Sequence, residues 1–359
     1  MLSWRYDGHP QAGGAEVVTH EMLKRAVVSG WEVTCFTAAF PGAPATEERD
    51  GVRIVRRGRQ WTVHAQAWRW LRPRVGRFDR IVEQVNTVPF LTPLYVPAAK
   101  RRLLIHQLAR EYWWRETRGA FKLIAPIGYV VEPLQFRLYR GTAAMTISES
   151  SKADLVALGF PPERVSIIPM ATHTPRASVL AGRSGPPRLV MVGRLTPAKY
   201  VEEGVTAFAD IQARLPNATL DLVGTGDPRY RARLQRLVAD RGLRGVTFHG
   251  RVSETAKRAL LERAHLHLFT SHREGWGLTV TECAAVGTPT VGYDVPGVRD
   301  SVGDRRALAA TRSPAALADR ALALLGEPSL YEAVRREAWQ RTAAMSWDRT
   351  AEAFIHAVR

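Results

Sequence analysis

The sequence is poor in cysteine, short of acid and without a long apolar run, and each shortage excludes a class of protein. Two cysteines, Cys35 and Cys283, in 359 residues cannot form a disulfide framework or a zinc quartet. No apolar stretch approaches the roughly 18 residues of a membrane-spanning helix. The start, Met1-Leu-Ser-Trp-Arg-Tyr-Asp-Gly8, has no signal-peptide core. A cytoplasmic protein fits these features. Asp and Glu number 34 against 51 Lys and Arg, a formal charge of +17 that calls for an anionic partner. No zinc finger, basic zipper or aromatic RNA-binding box occurs, so nucleic acid is not the expected partner. An anionic membrane surface and nucleotide diphosphates stay open, beside an arginine-rich composition with no particular target.

What is present is a globular composition, 45% hydrophobic and 24% charged, over a length that suits two domains. The most informative stretch is Ser271-His-Arg-Glu-Gly-Trp-Gly-Leu-Thr-Val-Thr-Glu-Cys-Ala-Ala-Val-Gly-Thr-Pro-Thr-Val291. An apolar run, Leu266-His-Leu-Phe-Thr270, precedes it and reads as a short buried strand. Glu274-Gly-Trp-Gly277 is a glycine-rich turn, and Leu278 to Val286 has a helical pattern stopped by Gly287 and Pro289. Strand, turn and helix N-terminus aim backbone N–H groups at one point, an anion site that suits a diphosphate. Glu274 and Glu282 flank it, with seven residues between them. Glu282 lies about one turn into the helix, where its carboxylate can accept two hydrogen bonds from vicinal hydroxyls such as those of a ribose. Glu274 can reach hydroxyls of whatever hangs from the diphosphate. The alternative is an ordinary βα unit with surface glutamates.

The first half opens with Ala12-Gly-Gly-Ala-Glu16 ahead of a helical pattern through Val17, Val18, Met22, Leu23, Ala26 and Val27, then a strand over Trp31–Thr37. Gly13 and Gly14 precede a helix N-terminus, so they form a second candidate phosphate site or a tight turn. From Gly51 to Phe78 there are eight arginines and no acid. Trp61, His64 or Ala65, Trp68 and Leu71 recur there at helical spacing, with Trp70 nearby, which suits either a lipid interface or a helix packed on a sheet. Ile81–Val85 and Leu103–His106 read as parallel strands, and His106 stands at a strand's C-terminal end, where open α/β sheets bind ligands. The aromatic stretch with Tyr112, Trp113, Trp114, Phe121, Tyr129, Phe136 and Tyr139 reads as an acceptor-side surface or as helix packing.

Residues 174–187, rich in proline, glycine and serine, read as a linker between a domain over 1–173 and a second over 188–344. There the βα rhythm restarts with Arg188–Val192 and Gly193-Arg194-Leu-Thr-Pro-Ala-Lys199. Arg194 and Lys199 share a loop at a strand end and can turn two cations toward a leaving diphosphate. Thr219-Leu-Asp-Leu-Val-Gly-Thr-Gly226 runs a strand into Gly224 and Gly226, without the third glycine of a dinucleotide fold.

The Glu274–Glu282 stretch with its Gly-Thr-Pro-Thr-Val291 exit, and Gly193-Arg194-Leu-x3-Lys199, resemble the retaining family-4 glycosyltransferases. The resemblance runs from Gly13 to the last helix, and His106-Gln-Leu-Ala-Arg-Glu111 is similar to one branch of that family. It implies an α/β fold of the GT-B type, two Rossmann-like domains facing across a cleft, with a closing helix over 345–359 that crosses back to the first. It also implies retaining sugar transfer from a nucleoside-diphosphate sugar to a polysaccharide, glycolipid or small-molecule acceptor. Arg194 and Lys199 would hold the donor phosphates, Gly13 and Gly14 would face them, and Val252 would belong to the segment that walls the nucleobase. Gly224 and Gly226 join the donor-contact set, as do Gly275, Trp276, Gly277 and Leu278. Glu282 would hold the ribose, and Glu274 and His106 the sugar. The family's favoured mechanism is same-face substitution, with the leaving phosphate helping to deprotonate the acceptor. The chain lacks the Asp-x-Asp pair with which the other major glycosyltransferase fold holds a metal, so neither a metal nor another cofactor is expected. It departs from the family at Met170-Ala171, where Asn-Gly is frequent, and at its start, where only Met1-Leu-Ser-Trp4 precedes Arg5, so that either the first strand is cut short or translation begins upstream. A same-fold epimerase or phosphorylase, or a non-catalytic basic binding module, is the alternative. Attachment to the inner face of a membrane through 51–78 is a separate expectation.

Overall fold

A computed structural model describes residues 1–109 and 125–359. They form two compact units, residues 1–170 with 346–359, and residues 171–345.

The first unit begins with Met1–Ser3, followed by α1 (Gly14–Val28), β1 (Thr34–Thr37), β2 (Thr46–Arg49), β3 (Val52–Arg56) and α2 (Val63–Leu71). Then come β4 (Ile81–Val85), β5 (Arg101–Ile105), α3 (Ala125–Phe136), β6 (Ala143–Thr146), α4 (Glu149–Ala157) and β7 (Val165–Ile167). The strands order as β2-β3-β1 and β4-β5-β6-β7, parallel except for β2. Leu2 bridges β1 and β4 and makes them one layer. Its N–H donates to Val82 O and its carbonyl accepts from Gln84 N, both at 2.8 Å, while Phe36 N donates to Met1 O at 2.9 Å. The three residues that open the chain thus occupy the central place where the sequence suggested a deficit, and Leu2 and Ser3 are fully buried there.

The basic stretch folds differently from its sequence pattern. The buried stripe of α2 is Val63, Ala67 and Leu71, four residues apart, because that face meets Phe36 and Ile81 on the sheet and Phe90 in the loop after β4. Trp61 precedes the helix and is 64% exposed, Trp68 is 42% exposed, and Trp70 packs between Phe36 and Phe78. The three indoles therefore do not share one face with Leu71. Of the aromatic stretch after β5, Tyr112, Trp113, Trp114, Phe121 and the Tyr129 side chain lie outside the described residues, as do Arg110 and Glu111. Phe136 and Tyr139 are core residues rather than an acceptor-side surface, packed with Phe160 because their helix turns inward.

The second unit alternates strand and helix: β8 (Arg188–Val192), α5 (Val201–Arg214), β9 (Thr219–Val223), α6 (Pro228–Asp240), β10 (Val246–Gly250), α7 (Glu254–Arg263) and β11 (Leu266–Phe269). It continues with α8 (Leu278–Ala285), β12 (Thr290–Tyr293), α9 (Val298–Val302), β13 (Leu308–Ala309), α10 (Pro314–Gly326) and α11 (Pro328–Arg341). The all-parallel sheet runs β10-β9-β8-β11-β12-β13, the doubly wound order of a Rossmann-like domain. The expected linker is tied to this unit. Ala177 N donates to Ala285 O at 2.8 Å, Arg183 donates to Ala264 O and Val286 O at 3.1 Å, and the buried Arg335 donates to Ala181 O. Composition forbids helix and strand there, but it does not prevent docking through backbone carbonyls.

The last helix, α12 (Trp347–Val358), returns to the first unit. Thr350 donates to Pro169 O at 2.7 Å, Arg25 pairs with Asp348 at 2.6 Å, and Arg80 and Arg102 donate to the carbonyls that end the helix, a favourable place for cations. No helix among the described residues is long and apolar enough to cross a membrane.

Candidate functional site

In the second sheet β8 and β11 are neighbours, and the chain winds outward from them in opposite directions. Open α/β sheets bind ligands at the carboxyl ends of such a strand pair. The loop leaving β8 carries Arg194 and Lys199, and the loop leaving β11 carries Glu274, so topology alone brings three sequence-predicted residues to one edge. The β8 loop is braced by the β9 loop. Gly193 N donates to Val223 O at 3.0 Å and Leu195 N to Thr225 O at 2.8 Å. A Cβ on Gly224 would stand 1.9 Å from Gly193 O, and one on Gly226 would stand 1.9 Å from Leu195 O. Both glycines are thus required by the approach of two chains, which sets the loop that holds Arg194. Arg194 is exposed, and Lys199 closes the 3-10 turn Pro197–Lys199. Thr270 Oγ1 donates to Lys199 O at 2.7 Å, and the Lys199 ammonium pairs with the Glu274 carboxylate.

Glu274 is buried, and its N–H donates to Pro296 O at 3.1 Å. Gly275, also buried, and the half-buried Trp276 complete the turn, and the Trp276 indole Nε1 is buried without a partner. Gly277 caps α8 at φ 92°, a conformation that glycine adopts without strain. In the first turn of α8 Val280 N donates to the cap carbonyl Gly277 O at 2.9 Å, and the N–H groups of Leu278 and Thr279 ahead of it have no carbonyl of their own helix to serve. One turn in stands Glu282, its side chain 13% exposed, with Oε1 3.1 Å from Lys257 Nζ on α7. Lys257 also pairs with Glu254 at 2.8 Å. Glu282 Oε2 is buried and has no hydrogen-bond partner. Burial raises the Glu282 pKa, and Lys257 offsets only part of that rise. For Lys257, burial opposes the charge, yet the two carboxylates outweigh it and the pKa rises. A carboxylate oxygen left bare beside a helix N-terminus is an acceptor awaiting donors, which vicinal hydroxyls supply. Val252 packs near the base of α7 against the cluster containing Val190 and Leu260.

The first unit gathers its own predicted residues at the carboxyl ends of Met1–Ser3, β4 and β5. Gly13 caps α1, which opens at Gly14, and its N–H donates to Glu16 Oε2 at 2.7 Å. Glu16, almost fully buried, pairs with Arg5 at 3.1 Å and meets the Asn86 amide at 3.5 Å. His106 follows β5 and is buried, with Nε2 unpartnered. Burial pushes its pKa down to about 4, against a smaller upward pull from Glu16, so the ring is neutral at pH 7. It can exchange a hydrogen bond without carrying charge.

Comparisons with known proteins bear on the fold and the family. Residues 12–176 match the model of Glycosyltransferase Family 4 and residues 178–341 that of Glycosyl transferases group 1. The chain belongs to the glycosyltransferase superfamily and has the GT-B fold. It is 27% identical over 321 residues to the glycogen synthase of Mycobacterium tuberculosis, covering 85% of this chain and 71% of that protein. It is 25% identical over 333 residues to the GDP-mannose-dependent alpha-(1-6)-phosphatidylinositol monomannoside mannosyltransferase of Mycolicibacterium smegmatis, covering 85% of this chain and 83% of that one. Sucrose-phosphate synthase from Thermosynechococcus elongatus superposes with a TM-score of 0.76 at 19% identity, over 99% of this chain and 96% of that one.

Sequence inspection of this glycosyltransferase missed Lys257, because a lysine on a helix face carries no mark of the carboxylate 25 positions later that it meets. Tyr200 and His272 escaped for the same reason, although they stack with centroids 3.4 Å apart. A tyrosine at φ 51° becomes visible only in the folded backbone.

Proposed function

We propose that the protein is a retaining, metal-independent glycosyltransferase that moves a sugar from a nucleoside-diphosphate sugar to a saccharide, glycolipid or small-molecule acceptor. The observation that carries this is the buried, unpartnered Glu282 Oε2 one turn into α8, behind a glycine turn and beside an ion-paired lysine. Glu282 accepts the ribose hydroxyls, and the N–H groups of the Gly275–Leu278 segment meet the phosphates. Arg194 and Lys199 stabilise the charge that grows on the departing diphosphate. Glu274 turns from Lys199 to the sugar hydroxyls as donor binds. The new bond joins the acceptor oxygen to the anomeric carbon, the bond to the diphosphate breaks, and the acceptor proton passes to the departing phosphate. Relatives named for glycogen and for a phosphatidylinositol mannoside support an acceptor of sugar or glycolipid type.

A panel of UDP, GDP, ADP and TDP tests the cradle. One nucleotide raises the thermal midpoint of wild type and does so far less in Glu282→Ala; equal shifts in both proteins would defeat the assignment. NMR of the product then reads the anomeric configuration, and inversion would exclude the retaining course.

A cytoplasmic enzyme working against an anionic membrane is the setting we favour. Trp61 and Trp68 are exposed beside Arg57, Arg59, Arg69 and Arg72, the residue types that seat at headgroups and on phosphates. Flotation with anionic liposomes at low salt should capture wild type and release the Trp61→Ala/Trp68→Ala variant. No capture of wild type would rule the attachment out.

A further inference from the structure

Tyr200 follows Lys199 directly and takes φ 51° and ψ 40°, a left-handed conformation that a bulky residue adopts only when its surroundings hold it there. Its ring lies flat on His272, with centroids 3.4 Å and planes 18° apart. His272 stands two positions before Glu274. The imidazole is fixed on two further sides. Its Nε2 meets the Glu203 carboxylate at 2.9 Å, and Tyr293 packs edge-on with centroids 5.4 Å apart. Glu203 also accepts the Tyr293 hydroxyl at 2.8 Å, and its N–H donates to Tyr200 O at 2.9 Å. The stack therefore joins the residue after Lys199 to the turn that delivers Glu274.

We infer that Tyr200 and His272 form an aromatic clamp that sets the place of Lys199 against Glu274 and so positions Lys199 for the diphosphate. Neither ring touches the donor. Tyr200 commits the backbone to a left-handed turn that aims the preceding lysine, and His272, locked by Glu203 and Tyr293, supplies the surface that makes the turn persist. The clamp rests on the nucleotide-sugar function proposed above.

The test measures, by calorimetry, the dissociation constants of UDP, GDP, ADP and TDP. The proteins are wild type, Tyr200→Phe, Tyr200→Gly and His272→Ala, each also combined with Lys199→Ala. Tyr200→Gly suits the backbone angle and removes only the ring, so this variant keeps its fold. Tyr200→Gly and His272→Ala should weaken the tightest of the four nucleotides at least about fivefold, whereas Tyr200→Phe, which keeps the stack, should stay within about twofold. In the Lys199→Ala background the losses should vanish, since the rings act through the lysine. A clamp that only packs the domain would lower the urea midpoint and leave affinity unchanged, or its losses would persist without Lys199; either result overturns the inference. If none of the four nucleotides binds wild type, the proposed function fails and the clamp falls with it. Binding by wild type with unchanged affinity in Tyr200→Gly and His272→Ala sinks the clamp alone.

Discussion

Replacing Glu282 by glutamine separates what this side chain does for the empty protein from what it does for a ligand. In the empty protein the carboxylate is a burden: one oxygen faces Lys257 at 3.1 Å, the other is buried with no donor, and burial raises the pKa. A raised acid pKa means that the folded state binds protons more readily than the unfolded one, so stability falls as pH rises past the unfolded value. Glutamine removes that cost, can still accept from Lys257, and leaves Lys257 paired with Glu254 at 2.8 Å. The midpoint of the empty variant should therefore equal or exceed that of wild type at pH 7.5. Ligand affinity moves the other way. Hydrogen bonds to a charged acceptor contribute roughly 1.5–3 kcal/mol each. Weakening a pair of them by about 2 kcal/mol is roughly a 30-fold loss. A nucleotide at about 100 times its dissociation constant adds about 2.7 kcal/mol to wild type, and the same concentration adds only about 0.9 kcal/mol after a 30-fold loss. For a domain of this size these values correspond to midpoint shifts of roughly 5–10 °C and 2–4 °C. Differential scanning fluorimetry with the preferred nucleoside diphosphate reads both. A variant that melts several degrees lower when empty yet responds fully to nucleotide would show Glu282 to be structural.

Other consequences follow from buried groups and close contacts. His267 on β11 and His106 after β5 have pKa values pushed down by burial to about 3 and about 4. The unfolded chain therefore takes up protons first, and stability present above about pH 6.5 is lost as pH falls; between pH 7.5 and pH 5 each histidine should cost its own unit about 2 kcal/mol. Urea unfolding at the two pH values checks this, and His267→Gln should flatten the slope for the second unit; an unchanged slope would mean that another group titrates. Gly224→Ala places a carbon 1.9 Å from Gly193 O at φ 138°, which should destabilise the second unit by about 3 kcal/mol or more. A wild-type urea midpoint would show that the two loops can separate freely. Lys257→Met removes the cation beside Glu282 and should weaken nucleotide binding more at pH 6 than at pH 8, because the buried carboxylate must then ionise unaided and its pKa rises further. Calorimetry that finds the same loss at both pH values would contradict this.

Much of the fold, and the gathering of Arg194, Lys199 and Glu274 at one sheet edge, was legible in the chain because local rules suffice for them. The helix over Leu278–Ala285 announces itself through a glycine turn before it and Gly287 with Pro289 after it. The βα alternation determines a parallel sheet, and a parallel sheet puts Arg194, Lys199 and Glu274 at one edge. What stayed hidden depends on contacts between distant residues. Lys257 finds Glu282, Tyr200 finds His272, and Met1–Ser3 fills the middle of a sheet by hydrogen bonding to two strands that lie far along the chain. The α2 region misled for a different reason: four arginines and two exposed tryptophans obscure a buried stripe of Val63, Ala67 and Leu71. Composition suggested an interdomain linker over 174–187, and it does not reveal that backbone carbonyls there accept bonds from Arg335 and Trp339.

The most direct measurement is nucleoside-diphosphate release from a panel of nucleoside-diphosphate sugars, with saccharide and glycolipid acceptors, in wild type and Arg194→Ala. Arg194 is exposed at the end of β8 and is assigned only to the charge on the departing diphosphate. Loss of that stabilisation should slow release about 100-fold to 1,000-fold. Release from one donor that depends on acceptor, and collapses in the variant, is the predicted result. Equal rates in wild type and Arg194→Ala would contradict it.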